Sequence, residues 1–259
     1  MGVPAPGLRK ARVYAVANQK GGVGKTTTAV NVGACLAEAG ERVLLIDLDP
    51  QANATSGLGV RANGASTHDL LDGIALGSLA KPTVVANLDL VAAKSDLAAA
   101  AVDLSKRDSG ERYLAEALEA GLEAYSFVFL DCPPSFGPLT VNALAAATRA
   151  IVPVQAEYYA LEGLSQLLGT VNLVKARLNP ELEVAGILLT MADGRTRLSA
   201  DVEAELRSHF GELVFSTTVP RSVRLAEAPS HGLPAIAYDR RSTGAQAYWK
   251  VAMELVERP

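Results

Sequence analysis

The stretch "NQKGGVGKTTT", Asn18 to Thr28, decides the fold. It follows a short apolar run, Val13–Ala17, and opens a helical pattern, Thr26–Ala39. A glycine-rich turn between a strand and a helix lets backbone N–H groups and the helix N-terminus face an anion. Lys25 stands where it can reach terminal phosphates, and the Thr26 hydroxyl where it can hold Mg2+. The usual phosphate-loop spacing wants a glycine five residues before Gly24, and that position is Gln19. The loop is therefore a variant in which Gly21, Gly22 and Gly24 supply the tight backbone, with Val23 between them and Thr27 behind. It also carries a second lysine, Lys20, which phosphate binding by Lys25 leaves unexplained. On the residues alone Lys20 is either a solvated loop lysine, a ligand of its own phosphates, or a group aimed outward.

Outward from the loop, short β-rich runs alternate with longer helical patterns along the whole chain, the signature of a doubly wound α/β sheet. The expected strands are Val13–Ala17, Val43–Asp47, Leu88–Ala92, Phe127–Asp131, Ile151–Val154, Val184–Thr190 and Val214–Val219. Several are continuous apolar runs, as parallel strands covered on both faces require. Helical patterns cover Thr26–Ala39, Glu111–Ala120, Leu139–Ala147, Leu161–Leu178, Ser199–Phe210 and Ala245–Val256. The expected fold class is α/β: a mostly parallel, twisted sheet with helices on both faces, the fold of phosphate-loop NTPases. No linker divides the 259 residues, so one domain over 1–259 is expected, with a mobile start over 1–11. Gly57 to Pro82 is loosely composed and reads as a surface excursion.

Composition excludes several classes. With 49% hydrophobic and 20% charged residues the chain suits a folded soluble protein. No apolar run reaches the length of a membrane span, and "MGVPAPGLRKAR" lacks the apolar core of a secretion signal, so a cytoplasmic location is expected. Gly2 is not a myristoylation site, because Pro6 stands where Ser or Thr is needed. Cys35 and Cys132 are too few for a disulfide framework or a zinc site and read as small buried hydrophobes. A net charge of −4 speaks against a large basic nucleic-acid surface.

In a doubly wound sheet, ligands bind at the carboxyl ends of the strands. The second expected strand ends "LLIDLDPQ", and alternate side chains of an extended segment share a face, so Asp47 and Asp49 point the same way. Two close carboxylates are costly unless a cation or water uses them. Asp49 before Pro50 also has a second reading, as the first residue of a turn. "FVFLDCPPS" delivers Asp131 at the end of another apolar strand, a pattern that brings a carboxylate to a metal's water shell.

Together "KGGVGKTT", "DLDPQ", "LDCPPS", "VPVQAEYYALEGL" and "VPRSVRLAEAPSHG" resemble the ParA/Soj chromosome-partition ATPases, within the wider deviant Walker A class that includes MinD and the nitrogenase iron protein. The resemblance runs from about Val13 to Met253. It implies a weak Mg2+-dependent ATPase that forms an ATP-sandwich homodimer. Carried over position by position, it implies that Lys25 binds phosphate, Thr26 holds Mg2+, Asp47 and Asp131 lie in the metal's outer shell, and Asp49 serves hydrolysis. Lys20 becomes the signature lysine that reaches the partner's nucleotide, comparable to an arginine finger supplied in trans. Gly21 lies where the two loops meet, so a bulky side chain there is expected to block dimerisation. Pro220 lies in the region that the family sets against the adenine base.

The resemblance further implies non-specific binding of double-stranded DNA by the dimer, nucleoid association, and a ParB/Spo0J-type centromere-binding partner that stimulates hydrolysis. Arg195 and Arg224 match the family's DNA arginines, Arg221 and Arg197 sit beside them, and Arg240 or Lys250 extends the surface. Arg suits phosphate because its planar fork donates parallel hydrogen bonds. The competing fate for these side chains is pairing with neighbours such as Asp193 and Glu227. The loop begins at residue 18, so an N-terminal helix-turn-helix domain and operator-specific repression are not expected.

Other readings are a MinD-like ATPase cycling on a membrane, an iron–sulfur electron donor, and a ParA-like ATPase positioning protein cargo. The first needs a basic amphipathic terminal helix, whereas "GAQAYWKVAMELVERP" reads as a packed final helix. The second needs paired cysteines that Cys35 and Cys132 do not resemble.

Overall fold

The computed structural model describes residues 11–157 and 160–258. The expected mobile start falls, Ala11 apart, outside the described residues, as do Tyr158 and Tyr159 of the quoted motif. In chain order the elements are β1 (Arg12–Val16), α1 (Lys25–Glu38), β2 (Val43–Asp47), α2 (Asn53–Gly57), α3 (Thr67–Leu71), α4 (Leu76–Leu79), β3 (Lys81–Pro82), β4 (Leu88–Val91), α5 (Leu97–Leu104), α6 (Tyr113–Ala117), β5 (Phe127–Asp131), α7 (Pro138–Ala146), β6 (Arg149–Gln155), α8 (Ala160–Arg177), β7 (Glu183–Thr190), α9 (Arg197–Phe210), α10 (Val223–Glu227), α11 (Ala235–Tyr238) and α12 (Thr243–Glu257).

The sheet runs β3-β4-β2-β5-β1-β6-β7 and is parallel except for the short edge strand β3, which pairs antiparallel with β4. Pro82 is tolerated there because an edge strand leaves one row of backbone groups unpaired. Alternation along each strand divides the core into two layers. Val13, Ala15, Leu44, Ile46, Val128 and Leu130 face the layer completed by α5, α7, α8 and α9. Tyr14, Val16, Val43, Leu45, Phe127 and Phe129 face α1 and α12. Burial on both faces explains the unbroken apolar runs of β2 and β5. After β1 the chain builds one half of the sheet and after β5 the other. The switch point therefore lies at the carboxyl end of β1, where the glycine-rich loop leaves the sheet.

Three sequence expectations change. Val214–Val219 is not a ladder strand. Phe215 N–H bonds Ile187 O and Val219 N–H bonds Leu189 O, each at 2.9 Å, so the segment bulges away from β7 between those points. The intervening amides of Ser216 and Thr217 donate instead to the Glu254 carboxylate of α12 at 2.7 and 3.1 Å. Glu111–Ala120 shortens to α6, and Leu97–Leu104 is an additional helix. Gly57 to Pro82 is more than an excursion, since Leu70, Leu71, Leu76 and Leu79 are buried against the first core layer. Its helix α3 starts at a capping box, in which Asp69 accepts the Ser66 N–H at 2.7 Å.

Two loops cross closely where α2 meets the segment after α10. Gly232 adopts φ +67°, and a Cβ there would stand 2.7 Å from the Gly59 Cα. Gly64, at φ +102°, has open space in the same position. Gly232→Ala is expected to lower unfolding free energy by about 2–4 kcal/mol, combining left-handed strain with overpacking. Gly64→Ala should show the strain alone, about 1–2 kcal/mol, when the two are compared by urea denaturation.

Candidate functional site

The loop after β1 is pinned from both sides. Asn18 donates to Pro153 O of β6 at 2.7 Å and accepts the Lys20 N–H at 3.0 Å. Val23 is buried, and its carbonyl accepts the hydroxyl of Thr190, the last residue of β7, at 2.8 Å. Between these anchors Gly22 and Gly24 take φ values of +75° and +88°, conformations that a side chain would strain. Gly24 is the N-cap of α1, and neither a capping side chain nor a first-turn acid covers the helix start. A 14-residue helix with its positive end open in this way, behind a glycine turn, suits an anion.

Lys25, the first residue of α1, is buried and donates Nζ to the Lys20 carbonyl at 3.0 Å. Burial lowers its pKa, and the nearby charge of Asp131 pulls it back up. Thr26 and Thr27 are half-buried on the same turn, and Gly21 and Gly22 are exposed. Lys20, unlike the buried Lys25, has its side chain 50% exposed and its ammonium paired with Glu157.

The carboxylates converge as the sequence anticipates. Asp47 and Asp131 are register partners at the ends of β2 and β5, and both are fully buried. Asp47 accepts the Thr55 N–H at 2.9 Å, the Thr55 hydroxyl at 2.7 Å and the Asp49 N–H at 3.1 Å. Burial nonetheless lifts its carboxyl to about 6. Asp131 has less company: no hydrogen bond of good geometry reaches either oxygen among the described residues, and only the Thr26 side chain stands near enough to lower it. Burial, and then the Asp47 charge, raise it well above the ordinary carboxylate range. A buried carboxylate left with both oxygens free is expensive unless a cation shares the space. The pair, with Thr26 beside it, is able to hold Mg2+. Asp49 lies one turn on, nearly buried, and its Oδ1 accepts the Gln51 N–H at 2.9 Å. The turn-starting reading of Asp49 thus holds alongside its nearness to the other carboxylates and Lys25.

The candidate DNA arginines all follow β7 in the chain. The Ala192–Pro220 bridge, with Arg221 N–H on Ala192 O at 3.1 Å, lays the loop after β7 beside the segment leading to α10. Arg195 is 88% exposed and clasps Asp193 through two bonds of 2.9 Å, which holds that carboxyl down at about 2. Arg224 pairs with Glu227 at 2.8 Å and lies 3.4 Å from Asp239. Arg221 is exposed and has no ion pair among the described residues. Pro220 lines a groove with Thr217, Thr218, Gln246 and Lys250, and no residue of the glycine-rich loop lines it. Of the remaining cations, Arg240 is tied to Glu38 and Arg197 lies 3.7 Å from Asp201. Cys35 and Cys132 are both buried and unbonded to each other, and burial pushes the Cys35 thiol up to about 12.

Asn18, Thr55, Thr190 and Glu157 are the site residues that sequence reading did not single out. Asn18 opens the quoted motif, three residues ahead of Gly21. Nothing near Thr55 or Thr190 signals contacts made with residues 8 and 167 positions away.

Comparison with known proteins agrees with this geometry. A family model described as an AAA domain matches residues 11–184. The sporulation initiation inhibitor protein Soj of Bacillus subtilis is 51% identical over 94% of this chain and 98% of its own. The chromosome-partitioning ATPase Soj of Thermus thermophilus is 55% identical over 96% of this chain and 97% of its own. Among solved structures, cobyrinic acid a,c-diamide synthase from Mycobacterium smegmatis with bound ADP and magnesium is 39% identical, with a TM-score of 0.83 over 95% of this chain and 94% of that one.

The carboxylate pair makes a stability prediction. Asp131 and Asp47 hold their protons to higher pH folded than unfolded. Their stabilising contribution is thus complete below the unfolded value of about 4 and is lost as pH rises through their raised folded values, about 6 for Asp47. In chelator, Asp131→Asn is expected to gain about 1–3 kcal/mol of unfolding free energy at pH 8 and little at pH 5. Urea midpoints at the two pH values check this, and no gain at pH 8 would mean the carboxylate is already compensated.

Proposed function

This chain belongs to the Soj/ParA family of chromosome-partitioning ATPases, and on that premise we propose that it is an Mg2+-dependent ATPase whose ATP-bound dimer binds DNA without sequence preference. The observation that carries the nucleotide site is the buried, unpartnered Asp131 beside Asp47, at the edge of a loop built on left-handed glycines. The ADP and magnesium bound to the Mycobacterium smegmatis relative support the same ligands here. Two Soj relatives, at 51% identity and, for the chromosome-partitioning ATPase, at 55%, outweigh the synthase name attached to that 39% relative.

In this reading the backbone N–H groups from Gly21 to Thr27, Val23 included, bind the phosphates, and Lys25 adds its charge on leaving the Lys20 carbonyl. Thr26 holds Mg2+, with Asp47 and Asp131 anchoring its water shell. When bound, the cation offsets the negative charge of the phosphate oxygens. Asp49 orients the attacking water. Pro220 offers an apolar face to the adenine. Lys20 acts on the partner subunit's nucleotide, and Gly21 lies at the dimer contact. Within one subunit a Cβ on Gly21 meets only the Pro134 Cβ, at 3.8 Å. A larger residue there is therefore opposed by a second subunit rather than by the fold.

Arg195, Arg221 and Arg224 form the DNA surface. Two of them are engaged with Asp193 and Glu227, which keeps the surface of an acidic protein weakly attractive until two copies act together. Hydrolysis, stimulated by a ParB/Spo0J-type partner, ends the dimer's stay on the nucleoid of the cytoplasm. Against a MinD-like membrane cycle stands α12, whose Ala245, Tyr248, Val251, Ala252 and Leu255 are buried in the core beside α1. No described helix is long and apolar enough to cross a membrane.

Retention on non-specific duplex DNA tests the cycle. Wild type is expected to bind with ATP and not with ADP, Asp49→Ala to bind and persist, and Lys20→Ala and Gly21→Val to bind ATP but not DNA. Three arginines on each of two subunits set a salt slope of log K against log [salt] no steeper than about −5. Arg224→Glu should lose most retention while keeping its basal ATP turnover. Equal retention with ATP, with ADP and without nucleotide would sink the dimer-gated reading.

A further inference from the structure

Lys20 is held inside its own subunit at three points. Its N–H donates to Asn18 Oδ1 at 3.0 Å, its carbonyl accepts Lys25 Nζ at 3.0 Å, and its ammonium pairs with Glu157. The first two contacts belong to the construction of the loop, since Asn18 is itself anchored on Pro153 of β6. The third does not. Glu157 lies just past the end of β6, and both side chains are about half exposed, 50% for Lys20 and 44% for Glu157. An exposed pair of this kind adds little to folding stability. What it does fix is the direction of one long, flexible side chain.

We propose that Glu157 is a positioning residue that restrains Lys20 within its own subunit, so that two such pairs must open before two subunits close over their nucleotides. The proposal rests on the reading of Lys20 as the residue that acts on the partner subunit. One compact ammonium on a four-carbon stem has a single place at a time. It is either on Glu157 or across the interface. Opening an exposed ion pair weakens an equilibrium by up to about fivefold. Closing a symmetric dimer opens two, so the dimerisation constant carries the square, up to about 25-fold. Phosphate oxygens compete for Lys25 Nζ and so remove the contact on the Lys20 carbonyl. Nucleotide thus loosens Lys20 from the loop side, and the Glu157 pair sets how much restraint is left. Glu157 thereby separates nucleotide binding from dimer closure.

Sedimentation velocity with a slowly hydrolysed ATP analogue, at low and high salt, tests this on wild type, Glu157→Gln, Lys20→Ala and the double variant. Glu157→Gln is expected to dimerise at up to about 25-fold lower protein concentration, with the advantage shrinking at high salt as the pair is screened. In the Lys20→Ala background the same substitution should change nothing, and thermal melting of Glu157→Gln should match wild type. If Glu157→Gln dimerises no better than wild type while Lys20→Ala fails to dimerise, the restraint is refuted and the trans role of Lys20 stands. If Lys20→Ala dimerises like wild type, the trans role itself falls, and the restraint with it. A gain from Glu157→Gln that persists in the Lys20→Ala background would also overturn the proposal, because it would then act through another contact.

Discussion

Two carboxylates buried at matching ends of neighbouring parallel strands are the constraint on which the rest of this structure depends. Asp47 and Asp131 lie in register on β2 and β5, where a purely structural sheet would place apolar residues. Water is excluded from both, so each charge must be answered from within the protein or by something it binds. The fold answers Asp47 with Thr55 and the backbone of Asp49. It leaves Asp131 without a well-formed hydrogen bond and sets only Thr26 and Lys25 close enough to pull against the resulting shift. That imbalance makes the carboxyl ends of these strands a site rather than a well-packed edge. It also explains why the loop beside it is so firmly anchored: a mobile loop would let water reach the carboxylates and remove the imbalance.

The anchoring comes from the sheet itself. Asn18 ties the start of the loop to β6, Thr190 ties its middle to β7, and α1 fixes its end against α12, where Thr28 and Tyr248 share a hydrogen bond of 3.1 Å. Each tie joins residues far apart in sequence, so the loop's shape is a property of the assembled sheet. Left-handed glycines then cost little, because the conformations they adopt are imposed from several directions at once.

This division explains what the sequence could and could not disclose. Strand–loop–helix order, the loop's variant spacing and the three aspartates follow local rules: period-two burial, glycine conformation and strand-end placement. Those were legible residue by residue. The partners of the same aspartates were not, because the Asp47–Thr55 bond depends on how α2 folds back beneath β2. The segment 214–219 failed for a related reason. Its composition is β-rich, yet Glu254, 37 and 38 residues later, captures two of the amides that a ladder needs. The stretch from Gly57 to Pro82 misled through its glycines and alanines. Four leucines in it suffice to bury α3 and α4, and the Ser66–Asp69 cap was the available signal.

A chain of close contacts runs from the partner of Asp47 toward the segment after α10. Thr55, which bonds Asp47, belongs to α2, and Gly57 at the end of α2 lies 3.7 Å, measured from a built Cβ, from the Pro229 Cβ. Gly59 then meets Gly232 backbone to backbone, and the segment 228–232 follows directly on α10, which carries Arg224. Close backbone packing of this kind is stiff, because no side chain lies between the elements to absorb a shift. Arg224 meanwhile is held by Glu227 and Asp239. Neighbouring backbone segments thus join the elements that bear the buried charge at the strand ends to those that bear the exposed charge of α10.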